Sequence, residues 1–166
     1  MRRSDREVTD IREILTFLDE CRVMRLAMQD KNGVLYLVPL HYGYAYESKT
    51  LTLYFHAATE GRKLDILRER PAVAFEMDRE DGIAGNGAVP CSYTGFYMSV
   101  TGTGTAAVLS DPRAKQEGLR ILMQALTKQE FTFDEAMAQS VAVVKITVDR
   151  FTCKKHSKEE TQWAER

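Results

Sequence analysis

Several residue types and patterns are scarce in this chain of 166 residues. The three cysteines, Cys21, Cys91 and Cys153, are too widely spaced to form a CxxC pair or a zinc-binding set with the three histidines. No run of about 18 apolar residues occurs, so a membrane-spanning helix is not expected. The charged start, MRRSDREV, is not followed by an apolar segment, which argues against a secretory signal. These absences predict reduced thiols, a cytoplasmic location and no metal site.

An excess of charge of one sign is also lacking. The 23 lysines and arginines and the 24 acidic residues leave a formal net charge of −1. Proteins whose main task is to hold nucleic acid or an anionic membrane need a broad basic surface. The balance therefore predicts neither of these partners, although a local basic patch for a small anion is compatible with it. The hydrophobic share of 44% and the charged share of 28% are ordinary for a globular protein.

Three helices are predicted from apolar spacing and capping residues. Asp10 followed by Glu13 resembles a capping box, and the apolar residues behind it recur at helical spacing, which predicts a helix over about 10–21. A short helix is expected over about 61–69, and a longer one over about 112–128.

The remaining apolar segments predict strands that follow one another mostly as hairpins. They are expected over about 23–28, 34–46, 51–57, 72–77, 93–109 and 141–155. Pro39 predicts an edge or a bulge, because proline cannot donate a ladder hydrogen bond. The glycine-rich segment over about 78–90 is expected to be a loop, and Gly102 and Gly104 are expected to form a bulge or a tight bend. Six or seven strands with marginal helices favour an antiparallel barrel or curled sheet.

Residues 54–67, YFHAATEGRKLDIL, pass from an apolar strand into an amphipathic helix. Arg62 and Lys63 lie in the first predicted turn, where unpaired N–H groups favour anions. Two cations there cost about 0.3–1 kcal/mol each, and a docked phosphate would reverse that effect. Gly61 would let the backbone approach such a phosphate closely. The alternative is a solvated helix start whose cations pair with nearby carboxylates, namely Glu60, Asp65 or Glu69.

His56 ends the strand before this helix, and two interpretations of it stay open. A histidine at this position can be a hydrogen-bonded structural residue or a catalytic group. No neighbouring Ser/Asp pair makes it part of a triad. The chain has no GxxxxGK[ST] motif, and Gly102-Thr103-Gly104 lacks the third glycine of a dinucleotide fingerprint. The predicted anion site is therefore not a standard nucleotide-binding loop.

Four segments together resemble the nitroimidazole-resistance (Nim) proteins, which belong to the pyridoxamine 5′-phosphate oxidase-like group of FMN-binding split barrels. The segments are MRRSDREVTD, YLVPLHYGY, LYFHAATEGRKLDIL and MSVTGTGTA. The resemblance covers about residues 1–155 and leaves 156–166, with Trp163, as a polar tail. It implies a single flavin-binding domain of mainly β class, a six-stranded antiparallel split barrel with peripheral helices. It also implies a homodimer with two flavin sites at the subunit interface.

The resemblance further implies which residues surround the cofactor, which is FMN in most relatives, with FAD and haem as alternatives. The isoalloxazine ring would be bordered by Val38, Pro39, Leu40 and His41. The ribityl and ring region would be lined by Phe55, His56 and Ala57. The phosphate would be surrounded by Glu60, Gly61, Arg62 and Lys63. Ser99, on the long strand, would approach the flavin at or beside the interface.

The activity that the resemblance implies is that of a flavin-dependent oxidoreductase acting on nitroaromatic compounds or similar small electron acceptors. His56 matches the histidine that the family places beside the cofactor, and it is the candidate catalytic residue. Two alternatives stay open, a non-catalytic flavin- or haem-binding protein and a pyridoxamine-phosphate oxidase. The chain shows no obvious second phosphate-binding set, which argues against the oxidase.

Overall fold

The computed structural model describes residues 3–158, which form a mainly antiparallel sheet with helices at its margins. The strands are β1 (Glu7–Val8), β2 (Val23–Gln29), β3 (Leu35–His41), β4 (Gly43–Glu47), β5 (Thr50–Ala57), β6 (Ala72–Ala84), β7 (Thr94–Val108) and β8 (Ala142–His156). The helices are α1 (Ile11–Glu20), α2 (Arg62–Glu69), α3 (Pro112–Thr127) and α4 (Glu135–Gln139). The strand order is β3-β2-β6-β7-β8-β5-β4, and β1 pairs with β8. The predicted mainly β split-barrel class is confirmed, with eight strands in this part of the chain.

The three predicted helices are confirmed as α1, α2 and α3. Asp10 caps α1 by accepting a hydrogen bond from the Arg12 N–H at 2.9 Å, and Asp111 caps α3 by accepting from the Ala114 N–H at 2.8 Å. Such caps satisfy N–H groups that have no partner inside the helix. The short α4 is absent from the sequence prediction, although Asp134 caps it in the same way. None of the helices found between residues 3 and 158 could cross a membrane, by length and apolarity.

The prediction of one strand over 34–46 is wrong. The segment forms two strands, β3 and β4, which lie at opposite ends of the strand order and are separated by the buried Tyr42. Pro39 lies in an edge strand, as predicted, where a missing N–H is tolerated. The other possibility, a bulge, is not formed, because β3 pairs residue for residue with β2, from His41 opposite Val23 to Leu35 opposite Gln29.

The prediction of a loop over 78–90 is wrong for its first half. β6 continues to Ala84 and is hydrogen-bonded to β7, and this pairing overrides the polar composition. Arg79 shows how the charged residues are accommodated on the surface. Its Nε donates to Asp81 at 2.7 Å, and its guanidinium also contacts Glu20. Gly82 has a φ of +107°, which few other residues adopt.

The described residues form two units, each with its own core. One comprises residues 3–21, 77–101 and 152–158, and its core includes Phe17, Phe96 and Met98. The other comprises residues 22–76 and 102–151, and its core includes Phe55 and Phe75. The single flavin-binding domain predicted for 1–155 stays a prediction.

Gly102 and Gly104 lie where neighbouring backbone comes very close, in the unit formed by residues 22–76 and 102–151. A Cβ on Gly102 would lie 2.8 Å from the carbonyl oxygen of Arg150, and one on Gly104 would lie 2.5 Å from that of Thr147. Neither glycine has a positive φ. Their role is therefore to leave room for neighbouring backbone, because a methyl group at either position would displace it.

We expect Gly43→Ala to lower the free energy of unfolding by about 1–3 kcal/mol, the usual cost of inserting a methyl group into a packed contact. Gly43 is the first residue of β4 and packs against α3. An added Cβ would lie 2.7 Å from both the Ile121 oxygen and the Leu122 Cα. Urea unfolding measures the change. Gly87→Ala is the matched control, because nothing lies within 4 Å of its Cβ position. Equal midpoints for the two variants would contradict the close packing.

Candidate functional site

The predicted anion site is the first turn of α2. Gly61 precedes the helix with a φ of +136°, a conformation that favours glycine. Its carbonyl oxygen accepts hydrogen bonds from the Leu64 and Asp65 N–H groups at 2.9 and 3.2 Å. The N–H groups of Arg62 and Lys63 come before these first helical hydrogen bonds. A Cβ placed on Gly61 would meet no atom within 4 Å, so the turn is open on that side.

The guanidinium of Arg62 is oriented by an aromatic ring and remains accessible. Its Cζ lies 4.6 Å from the ring centre of Tyr36 on β3, within the range of a cation–π contact. Its Nη2 lies 3.9 Å from the nearer carboxylate oxygen of Asp30, which is a loose ion pair. More than half of the Arg62 side chain is exposed. The residue is therefore positioned in advance while its donors can still reach a ligand.

Lys63 lies in a drier position than Arg62. Its Nζ is 5.5 Å from the ring centre of Phe55, which is fully buried in β5. Burial lowers the pKa of the Lys63 ammonium, because desolvation disfavours its charged form. An anion bound beside this ammonium would oppose the shift by stabilising the charge.

The acids predicted to neutralise this helix start are mostly paired elsewhere, and Arg62 instead lies near Asp30. Asp65 accepts a hydrogen bond from Arg68 at 3.4 Å, and Glu69 lies 3.8 Å from Lys31. Glu60 is exposed immediately before Gly61. Two of the three carboxylates therefore pair with cations other than Arg62 and Lys63.

The predicted ring-bordering residues of β3 lie on two faces. Val38 and Leu40 are half-buried on the face that carries Tyr36, whereas Pro39 and His41 are exposed on the opposite face. His41 Nδ1 lies 3.0 Å from the carbonyl oxygen of Arg22. Because of this alternation, the four side chains do not face one common site within a single chain.

The residues predicted on β5 divide in the same way. Phe55 points into the core, and the half-buried Ala57 lies on the same face. His56 is exposed on the opposite face, at the position across from Val143 of β8. Ser99 is half-buried on β7, in the unit that contains residues 77–101. The structure thus brings Arg62 and Lys63 together with the inner faces of β3 and β5, and it leaves His56 on an outer face.

Comparison with known proteins identifies the family. The model of the pyridoxamine 5′-phosphate oxidase family matches residues 10–155. The chain belongs to this family. The matched range contains every predicted site residue from Val38 to Ser99. The polar tail, 156–166, falls outside it, and residues 159–166, including Trp163, also lie outside the described residues.

Solved structures of several proteins resemble this family member. A proposed 5-nitroimidazole antibiotic resistance protein from Bacteroides thetaiotaomicron is 26% identical, with 90% of this chain and 86% of that chain covered and a TM-score of 0.77. An FAD- and haem-binding protein from Mycobacterium smegmatis is 18% identical, with 92% and 74% covered and a TM-score of 0.78. A flavocytochrome from Azotobacter vinelandii is 19% identical, with 95% and 72% covered and a TM-score of 0.75. The last two show a shared fold alone. No curated protein matches the chain significantly.

Two residues of the site in this pyridoxamine 5′-phosphate oxidase family member are missing from the sequence prediction. Tyr36 could have been found, because it lies two residues before Val38 and strand alternation places both on one face. Asp30 lies in a turn, and no local pattern connects it with Arg62. Between residues 3 and 158, no three histidine, cysteine or acidic side chains are placed to hold a metal ion.

Proposed function

We propose that this chain is a flavin-binding oxidoreductase that holds the phosphate of FMN at the first turn of α2, with FAD as the alternative flavin. The observation that carries the proposal is the pair of cations, the exposed Arg62 and the half-buried Lys63, directly after the open Gly61. Membership in the pyridoxamine 5′-phosphate oxidase family supports it. So does the likeness in fold to flavin-binding proteins.

The residues present fit a phosphate group in three respects. The helix start offers backbone N–H groups and partial positive charge. Arg62 offers a planar fork that can bind two oxygens at once, whereas Lys63 offers a mobile point charge. The lowered pKa of Lys63, which burial causes, would be restored by a phosphate dianion beside it. Glu60 would border the phosphate through its backbone, since its own charge would repel it.

The half-buried inner face of β3 fits an apolar ring beside this phosphate site. Val38 and Leu40 lie on the face of Tyr36, which contacts Arg62. In β5, Phe55 and Ala57 lie on the inner face. A bound flavin would supply the electron-transfer chemistry. The protein's own residues would bind the phosphate, orient the ring and limit the access of water.

We also propose a homodimer formed through the outer face of the sheet. Leu35 and Leu37 of β3 are 77% and 61% exposed. Leu35 borders a groove of about 380 Å³ whose other lining residues include Ala27, Ala72 and Ala74. Exposed apolar surface of this kind is typical of a site that another molecule covers. A second copy on this face would also cover Pro39 and His41. A flavin site shared between subunits would account for predicted site residues on both faces of β3.

The proposed substrates are nitroaromatic or similar small electron acceptors, and the proposed catalytic residue is His56. The substrate class is supported by the 26% identity to the proposed 5-nitroimidazole resistance protein. The exposed position of His56 leaves its imidazole accessible to a small molecule.

The absorption spectrum of the purified protein, followed by anaerobic reduction with dithionite, tests this function. We expect two broad flavin bands that bleach on reduction and return when a nitroimidazole is added. A sharp Soret band would identify haem instead. Flavin that bleaches and is never reoxidised by a nitroimidazole would refute the substrate class while leaving flavin binding intact. Turnover of pyridoxamine phosphate would favour the oxidase alternative.

A further inference from the structure

A second group of cations surrounds a small cavity in the unit formed by residues 3–21, 77–101 and 152–158. The cavity has a volume of about 220 Å³ and is lined by Arg3, Asp5, Arg6 and His156. The turn Ser4–Arg6 contributes Asp5 and Arg6, and Arg3 immediately precedes it. β1 follows this turn directly and pairs with β8, which places the end of β8, and with it His156, beside the turn.

His156 forms a fixed, buried wall of the cavity. Only 8% of the residue is exposed. Its Nδ1 lies 2.8 Å from the carbonyl oxygen of Gly95. Its ring centre lies 5.3 Å from that of Phe96 and 6.2 Å from that of Tyr97. Because the imidazole is held by these contacts, the cavity is a built feature with at least one rigid side.

Positive charge dominates the side chains around this wall. Arg6 Nη1 donates to the hydroxyl of Tyr97 at 3.5 Å, and Lys154 Nζ lies 5.6 Å from the same ring centre. Burial alone would raise the pKa of Tyr97, yet hydrogen bonds from Lys154 and Arg6 lower it overall. Glu7 lies opposite Lys154 across the β1–β8 pair and offsets part of the charge. The net potential at the cavity therefore favours an anion.

The carboxylate of Asp5 would compete with such an anion for Arg3. Its carboxylate accepts hydrogen bonds from Arg3 Nη2 at 2.6 Å and from Arg3 Nε at 2.8 Å. The hydrogen bond from Arg3 lowers the pKa of Asp5 to about 2, so the carboxylate is ionised near neutral pH. About half of each side chain is exposed. Exposed ion pairs contribute little net free energy, and a more highly charged anion could displace Asp5 from Arg3.

We propose that this cavity binds the phosphate group of a small phosphorylated metabolite, with Arg6 as the principal donor and Arg3 joining once Asp5 is displaced. Two guanidinium forks match a phosphate dianion better than a monovalent carboxylate, because each fork can bind two of its oxygens. A volume of about 220 Å³ holds a phosphate and a few further atoms but not a flavin. The site does not depend on the flavin proposal, since none of its residues belongs to α2.

The test follows the imidazole signal of His156 by NMR in the full chain during titration with glycerol 3-phosphate and, separately, with inorganic phosphate. His156→Gln identifies the signal, and the signals of His41 and His56 report on ligand bound elsewhere in the chain. We expect saturable binding of glycerol 3-phosphate, several-fold tighter than that of inorganic phosphate. No saturable shift of His156, or equal affinity for the two probes, would overturn the proposal.

Three variants sharpen this test. Arg6→Ala should weaken binding by about tenfold or more, the effect of losing one charge-assisted contact. Asp5→Asn should tighten phosphate binding by about threefold, because the side chain at position 5 then carries no charge and competes less for Arg3. Arg12→Ala, an exposed arginine on α1, should leave the affinity unchanged. Weaker or unchanged binding in Asp5→Asn, with the fold verified by circular dichroism, would contradict the role of Asp5 and overturn the proposal.

Discussion

Replacement of Arg62 and Lys63 together by alanine is expected to lower flavin affinity by about 100- to 10,000-fold, because each charge-assisted phosphate contact contributes about 1.5–3 kcal/mol. The fold should survive. Arg62 is more than half exposed, and Lys63 is half-buried, with its Nζ 5.5 Å from the ring centre of Phe55. Removing two cations from a helix start should even offset part of the lost packing, by about 0.3–1 kcal/mol per charge. Titration of the apo-protein with FMN, followed by flavin fluorescence, measures the affinity.

The matched control for this pair is Arg68→Ala. Arg68 lies in the last turn of the same helix, and its guanidinium donates to Asp65 of the first turn at 3.4 Å. Its removal should leave flavin affinity within about twofold, since exposed pairs contribute little. Arg62→Lys separates the contribution of the charge to flavin affinity from that of the planar guanidinium, because it keeps the charge and loses the planar fork. An unchanged FMN affinity in the double variant would refute the phosphate assignment.

Leu37→Asp is expected to convert the proposed homodimer into a monomer at micromolar concentration. Leu37 lies opposite Ala27 in the β2–β3 pair, on the exposed apolar face. A carboxylate buried there against a second copy would have no partner, and desolvation of an unpaired charge costs several kcal/mol. Sedimentation velocity distinguishes the two states. Met137→Asp is the control, because Met137 is 54% exposed on α4 and outside this face.

Flavin affinity in the same variant separates two parts of the proposal. If the flavin site is shared between subunits, Leu37→Asp should weaken FMN binding along with dimerisation. A monomeric Leu37→Asp that binds FMN as tightly as the unaltered chain would contradict the shared site and leave the α2 phosphate site standing. A dimeric Leu37→Asp would show that the two copies do not meet through this face.

Helices α1, α2 and α3 were predictable because their signals are local. Asp10 and Asp111 each accept a hydrogen bond from an N–H two or three residues ahead, so a few neighbouring residues contain the whole interaction. Apolar spacing then marks the buried side of each helix. The unusual position of Arg62 and Lys63 could also be recognised locally, because the partial positive charge at the start of a helix disfavours cations there.

The strand boundaries were less predictable because they depend on distant partners. Residues 34–46 look like one strand in the sequence, yet β3 pairs with β2 and β4 pairs with β5. Residues 78–84 look like a loop, yet hydrogen bonding to β7 keeps β6 extended. Strand propensity depends on the surrounding sheet, so polar residues can continue a strand that has a pairing partner.

The class of fold and the two cations after a glycine at a helix start can be read from the amino-acid sequence. How that helix start is completed depends on contacts between residues far apart in the chain. Tyr36 contacts Arg62 and Phe55 contacts Lys63 because α2 lies between strands from distant positions in the sheet order. Strand alternation divides the predicted residues of β3 between two faces, and the partners that pack against the strand decide which of these faces is covered.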